Sequence, residues 1–138
     1  MVKVTGLEIL VASLLVASLF GIYRAKTDGH VKTKSEEHIW STHNCNIDLG
    51  EKATLLQFSS AFCQPCRTTK LLLADIASTT PGVSHVEVNA EEHLPLVREL
   101  GITRTPTTLI LDQKGTIRGK ASGVPKRSEV LDSLAHLL

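Results

Sequence analysis

The chain has few cysteines, no large excess of charge of either sign, and no second pair of metal-binding side chains. Three cysteines in 138 residues are too few to staple a small secreted module. Fifteen Lys and Arg against fourteen Asp and Glu leave a formal net charge of +1, so nothing electrostatic points to nucleic acid as a partner. Neither another Cys-x-x-Cys nor a closely spaced histidine pair follows Cys63-Gln64-Pro65-Cys66, so a structural zinc site there lacks half its ligands. His38 and His43 lie near Cys45 in the sequence, but two solvated polar side chains explain them better than a metal does. There is no internal repeat and no low-complexity tract. The length suits one domain and a short extra segment.

What the chain does carry is Cys63-Gln64-Pro65-Cys66 itself, placed after the apolar stretch at 55–58 and at the start of a helical pattern through Leu72, Leu73 and Ile76. Two thiols separated by two residues at a helix N-terminus are placed for disulfide exchange. The partial positive charge of the helix end favours the thiolate of the first cysteine. That thiolate can attack a disulfide in another molecule, and the second cysteine can resolve the mixed intermediate. A Cys-x-x-Cys near a β-α-β pattern has this redox reading.

Residues 7–23 are almost wholly apolar, with Glu8 the one charge among them. A helix over 6–23 would be about 27 Å long, close to the thickness of a hydrocarbon core. It lacks the polar stripe of a surface helix. Tyr23, Arg24 and Lys26 suit an interfacial anchor. A retained anchor fits better than a cleaved signal, because the basic n-region is weak and the apolar run continues past Val16-Ala17-Ser18. Ser13, Ala17 and Gly21 share a face, as small residues commonly do in such helices. Arg24, Lys26, Lys32 and Lys34 follow the segment and Lys3 alone precedes it. The positive-inside rule therefore puts the rest of the chain in the cytoplasm, on a single-pass membrane protein. The expected organisation is an anchor at 1–25, a tether at 26–50 in which Ile39 and Trp40 dock on the domain edge, and a folded domain at 51–138.

Within that domain a buried strand is expected at 53–59 and a helix at 63–79, its buried face formed by Leu72, Leu73, Ile76 and Ala77. Val86 and Val88 alternate with His85 and Glu87 in a half-buried strand at 83–89. A short helix at 91–100 has its acids in the first turn and Gly101 as its C-cap. Strands at 107–111 and 116–121 are joined by the turn Asp112-Gln113-Lys114-Gly115. Ser128 caps a last helix that buries Val130, Leu131, Leu134, Leu137 and Leu138. A helix joins the first two strands, which should be parallel; a tight turn joins the last two, which should be antiparallel. The fold class is α/β, a mixed sheet with helices on both faces, preceded by a transmembrane helix.

Three sets of residues then resemble the thioredoxin family: Phe62-Cys63-Gln64-Pro65-Cys66-Arg67, the run Gly101-Ile102-Thr103-Arg104-Thr105-Pro106-Thr107, and Gly123 before the final helix. The resemblance covers residues 51–138, and the layout is similar to membrane-tethered thioredoxin-like proteins of bacteria. It implies a cis bond between Thr105 and Pro106 beside the cysteine pair, with the Thr105 backbone free to pair with an extended substrate segment. Departures accompany it. Phe62 and Gln64 stand where thioredoxins proper have Trp and Gly. Gln57 stands where they bury a carboxylate, and the lysine that pairs with that carboxylate is absent from Val86-Glu87-Val88. Proton transfer must then use water, substrate or another group.

The site expected from residues and resemblance together has Cys63 as nucleophile and Cys66 as resolving thiol. Phe62, Gln64, Pro65, Thr105 and Pro106 shape the substrate surface. Arg67 is as well explained by solvation as by a role near the thiolate, and Cys45 is more simply a packing residue than a third redox partner. The expected activity is thiol-disulfide oxidoreduction by a protein-disulfide reductase, with the Cys63–Cys66 disulfide as redox centre and no separate cofactor or metal. Its partners would be disulfide-bearing client proteins, a reductase or small thiol as reductant, and the membrane. Two alternatives stay open: a tethered Cu(I)-binding or assembly factor without a catalytic cycle, and the same domain facing outward.

Overall fold

The first strand of the domain proper is buried along its entire length, which fixes it at the centre of a sheet with both faces covered. The computed structural model describes residues 6–27, 31–32, 36–39 and 47–138. In order these form α1 (Gly6–Thr27), β1 (Val31–Lys32), β2 (Glu36–Ile39), β3 (Ala53–Ser59), α2 (Gln64–Thr79), β4 (Val83–Asn89), α3 (Leu94–Glu99), β5 (Thr107–Asp112), β6 (Thr116–Ser122) and α4 (Arg127–Ala135). The sheet runs β1-β6-β5-β3-β4, with β2 also on β6. β3 and β4 are parallel, with Gln57 opposite Glu87. β3 pairs antiparallel with β5, and β5 with β6. This is the mixed sheet expected from the connection lengths.

Alternate residues of β3 face opposite layers. Leu56 and Phe58 pack with Val88, Leu96, Ile102 and Leu109, on the side that α3 covers. Ala53 and Leu55 pack with Leu73 and Ile76 of α2 and with Val130 and Leu134 of α4. Helices therefore lie on both faces. Gln57 occupies the second face, level with the first turns of α2, where an apolar residue would extend the core.

Several local expectations shift. α3 begins at Leu94 rather than Glu91, because the Asn89 side chain accepts the Glu91 N–H and donates to the Glu92 carboxylate. The two acids thus belong to an Asx-type turn ahead of the helix. Gly101, at φ 60°, follows the C-cap residue Leu100. Ser128 does not cap α4: the N-cap is Lys126, with no side-chain cap bond. Pro125 is buried just before it, and its fixed φ favours an early entry into the helix. Val130 and Leu134 are buried as expected, but Leu131 is 38% exposed and Leu138 52% exposed, because α4 meets the sheet along a narrower stripe than five apolar residues suggested. The β5–β6 turn is as expected: Gly115 adopts φ 80°, and Asp112 accepts the Lys114 and Thr116 N–H groups.

The stretch expected as a tether contributes β1 and β2, which pair with β6 at Val31–Ala121 and Glu36–Ile117. They cover what would be a bare strand edge. The Val31 N–H also donates to the Glu129 carboxylate of α4. Trp40, His43 and Cys45 lie outside the described residues, as do the side chains of His38 and Ile39, so the roles considered for them fall there too. α1 is 22 residues long and none of its apolar window is buried. It is long and apolar enough to cross a membrane, properties that a signal sequence near an N-terminus shares.

Candidate active site

β3 delivers the chain to a short loop from which Cys63 enters α2 as its N-cap residue. Pro65 sits in the first turn, where its missing N–H costs no helical hydrogen bond. Cys63 and Cys66 are joined, with S–S 2.09 Å and Cα–Cα 5.2 Å. The Cys66 N–H donates to Cys63 Sγ at 3.2 Å. A backbone donor and the positive end of a 16-residue helix therefore both address the first sulfur, and no acid in the first turn opposes them. Cys66 is 3% exposed, while Cys63 is half-buried. The first sulfur is the accessible one and the second is shielded one turn inward.

The second component comes from the loop before β5. The Thr105–Pro106 bond is cis. The Thr105 hydroxyl lies 3.0 Å from the Ser60 hydroxyl, three residues before Cys63, so this loop is pinned to the loop that carries the cysteines. Pro106 is buried and its carbonyl accepts the Gly123 N–H at 2.8 Å, which ties in the glycine before α4. Phe62 is fully exposed, and Gln64 and Pro65 are exposed beside it. A bare aromatic ring at the lip of the site offers apolar contact area to a macromolecule. Arg67 is exposed on α2, and no contact among the described residues gives it a role here.

Beside the pair the structure adds contacts that the sequence did not show, made by Gln57, already noted as a departure, and by His85, Glu87 and Lys70, which were given no role. Gln57 is wholly buried; its Nε2 donates to the Cys66 carbonyl at 2.9 Å, and its Oε1 lies 3.1 Å from His85 Nε2. Glu87 accepts from Ser59 at 2.6 Å and pairs with Lys70 of α2 at 2.6 Å. These two bonds, Lys70 first, hold the Glu87 carboxyl below its ordinary value. Burial pushes His85 below the ordinary 6.5, with Glu87 opposing and Lys70 adding to the effect. His85 and Glu87 were expected on the polar side of a half-buried strand. Glu87 is exposed as expected, whereas His85 is half-buried on the same face as Gln57, which α2 overlies. The signal was present as strand parity: in a parallel register Glu87 falls opposite Gln57 and His85 opposite Leu55. Lys70 of α2 meets Glu87 and not Gln57; the β4 side chain against Gln57 is His85. Thr69 and Thr108 carry buried hydroxyls with no hydrogen-bond partner among the described residues; Thr108 is the β5 neighbour of Gln57. Among the described residues, no group of three or more His, Cys, Asp or Glu side chains is arranged to hold a metal.

A half-exposed sulfur at a helix N-terminus, bonded to a buried sulfur and flanked by a cis-proline loop, defines the class of a thiol-disulfide exchange domain. Comparison with known proteins gives the family. The family model described as Thioredoxin matches residues 34–136, and the chain belongs to the thioredoxin family. It is similar to thioredoxin H1 of Arabidopsis thaliana, 25% identical over 114 residues, which are 83% of this chain and 98% of that protein. It is also similar to thioredoxin H5 of Oryza sativa, 26% identical over 83 residues, which cover 60% of this chain and 62% of the rice protein. Among solved structures, thioredoxin f from spinach chloroplast superposes with a TM-score of 0.56 at 25% identity, over 64% of this chain and 78% of that one.

Proposed function

We propose that the protein is a membrane-tethered protein-disulfide reductase that works through Cys63 and Cys66 and needs no separate cofactor. The Cys63 thiolate attacks one sulfur of a client disulfide. A mixed disulfide forms and the other client sulfur leaves as a thiolate. Cys66 gives its proton to solvent and attacks Cys63 Sγ. The Cys63–Cys66 bond re-forms and the second client sulfur is released. The client disulfide has gained two electrons and the protein's dithiol has lost two; a reductase or a small thiol returns them. The observation that carries this reading is the asymmetry of the pair: Cys63 at the helix N-cap accepts an N–H on its sulfur, while Cys66 is buried.

In this reading Phe62, Gln64 and Pro65 meet the client, and the Thr105 backbone pairs with its extended segment beside Pro106. The apolar α1 holds the domain at a membrane, and the excess of Arg and Lys after it supports a cytoplasmic domain. The test is catalysed reduction of a protein disulfide by the full-length chain in detergent, with Cys63→Ser as control. Turnover that vanishes in the variant is expected; a wild type without turnover contradicts the reading. A C-terminal tag digested by protease added to intact cells would reverse the proposed orientation.

A further inference from the structure

The hydrogen bonds under the cysteine pair have only one consistent polarity. The Cys66 carbonyl can only accept, so the Gln57 atom facing it is the amide nitrogen, at 2.9 Å. The carbonyl oxygen of Gln57 therefore faces His85 Nε2, at 3.1 Å. That oxygen also only accepts, so His85 Nε2 must carry a hydrogen. Neutral His85 is thus fixed as the Nε2–H tautomer, and Nδ1 is the nitrogen that titrates. The three groups lie on three different elements: β4 gives His85, β3 gives Gln57, and the first turn of α2 gives Cys66.

We propose that His85 is a positioning residue for the resolving cysteine: it orients the Gln57 amide onto the Cys66 peptide, and its Nδ1 binds a proton more tightly when the pair is reduced. The proposal rests on the exchange reading above. Gln57 cannot titrate, yet it is wholly buried and engaged at both ends, so a change at Cys66 reaches a titratable ring through one rigid side chain. The charged groups facing His85 are Glu87 on its own strand and Lys70 on α2. These two are bonded to each other at 2.6 Å, so their charges largely offset. From β3 the facing group is neutral Gln57. Burial disfavours the charged ring, and the tautomer argument applies to its neutral form. Reduction leaves a sulfur at the helix end that can ionise, and a thiolate charge there favours a proton on His85. By reciprocity a protonated His85 favours the reduced pair by the same factor.

The first experiment is an ¹⁵N and ¹H NMR titration of the His85 ring in the full-length chain in detergent micelles, in the disulfide and dithiol forms, with His85→Gln supplying the assignment. The expected result is the Nε2–H tautomer at neutral pH in both forms, with proton affinity about twofold to fivefold higher in the dithiol form. A neutral Nδ1–H tautomer, or equal midpoints in the two forms, would overturn the proposal. The second experiment compares turnover at a pH above the His85 titration. His85→Gln can still donate to the Gln57 oxygen and is expected to match wild type; His85→Leu cannot, and is expected to turn over about threefold to tenfold more slowly. His85→Leu at wild-type speed overturns the positioning role. If His85→Leu does not fold, the wild-type titration decides alone. A wild type with no turnover would instead fail the exchange reading, whatever the ring shows.

Discussion

Reducing the Cys63–Cys66 bond should cost this fold little, and the size of that cost separates an exchange disulfide from a structural staple. The bond spans a sequence separation of only three residues. Cross-linking so short a loop removes about 2 kcal/mol of chain entropy from the unfolded state, against about 4.7 kcal/mol for a 100-residue loop. Reduction also gives something back. The Cys66 N–H that meets Cys63 Sγ and the N-terminal end of α2 together stabilise a thiolate by about 1 kcal/mol. The net loss is then about 1 kcal/mol. A packed unit of this size has a stability of roughly 5–13 kcal/mol, so the dithiol form should stay folded. The assay is urea unfolding of the full-length chain in mild detergent, followed by far-ultraviolet circular dichroism with and without reductant. Nearly equal slopes are expected, with a midpoint lower by about 0.3–1 M in the reduced form. A loss of about 4 kcal/mol or more, or unfolding on reduction alone, would refute the reasoning: the pair would then be holding the fold together.

Three further outcomes follow from the packing and electrostatics. Leu55→Ala, in the fully buried centre of β3, should destabilise by about 3–4 kcal/mol, because strands paired on both sides cannot collapse into the cavity; Leu131→Ala, on the open side of α4, should cost less than about 1 kcal/mol, and equal losses in the urea assay would contradict the assigned layers. Burial works against ionisation of Asp112, but the Thr116 and Lys114 N–H groups and Arg118 outweigh it and hold its pKa below 3.8. Asp112→Ala should therefore cost about 1–3 kcal/mol at neutral pH, and the gap should close as pH falls through the depressed Asp112 value, since a lowered carboxylate pKa stabilises only above it; a gap independent of pH down to full protonation would contradict the account. Phe62→Ala, at a fully exposed ring, should leave stability within about 0.5 kcal/mol but raise KM for a protein disulfide and not for a small one; equal KM changes for both would remove the ring from the client surface.

The architecture was legible because its signals are local. The apolar run of β3 and the Asp112–Gly115 turn each act within a few residues, and the parallel and antiparallel pairings follow from the lengths of the connections. The cysteine pair and the Thr105–Pro106 loop were legible as motifs. What the sequence hid depends on register between distant elements. His85 reads as the polar half of an alternating strand until α2 is laid over that face. Lys70 stands out in no sequence pattern, and its pairing shows only when Glu87 is placed beside it. Gln57 could be seen as a departure, but its engagement by Cys66 and His85 requires three elements to meet. The caps of α3 and α4 moved because Asn89 and Pro125 act on the backbone more strongly than the acids and the serine that local patterns favoured.

The central claim is that Cys63 attacks and Cys66 resolves. It is tested most directly by incubating the reduced full-length Cys66→Ser variant with a disulfide-bearing peptide, quenching with acid, and mapping the adduct by mass spectrometry. The account predicts a stable mixed disulfide on Cys63, absent when wild type is treated in the same way. An adduct on Cys45 instead, or no adduct at all, would contradict it.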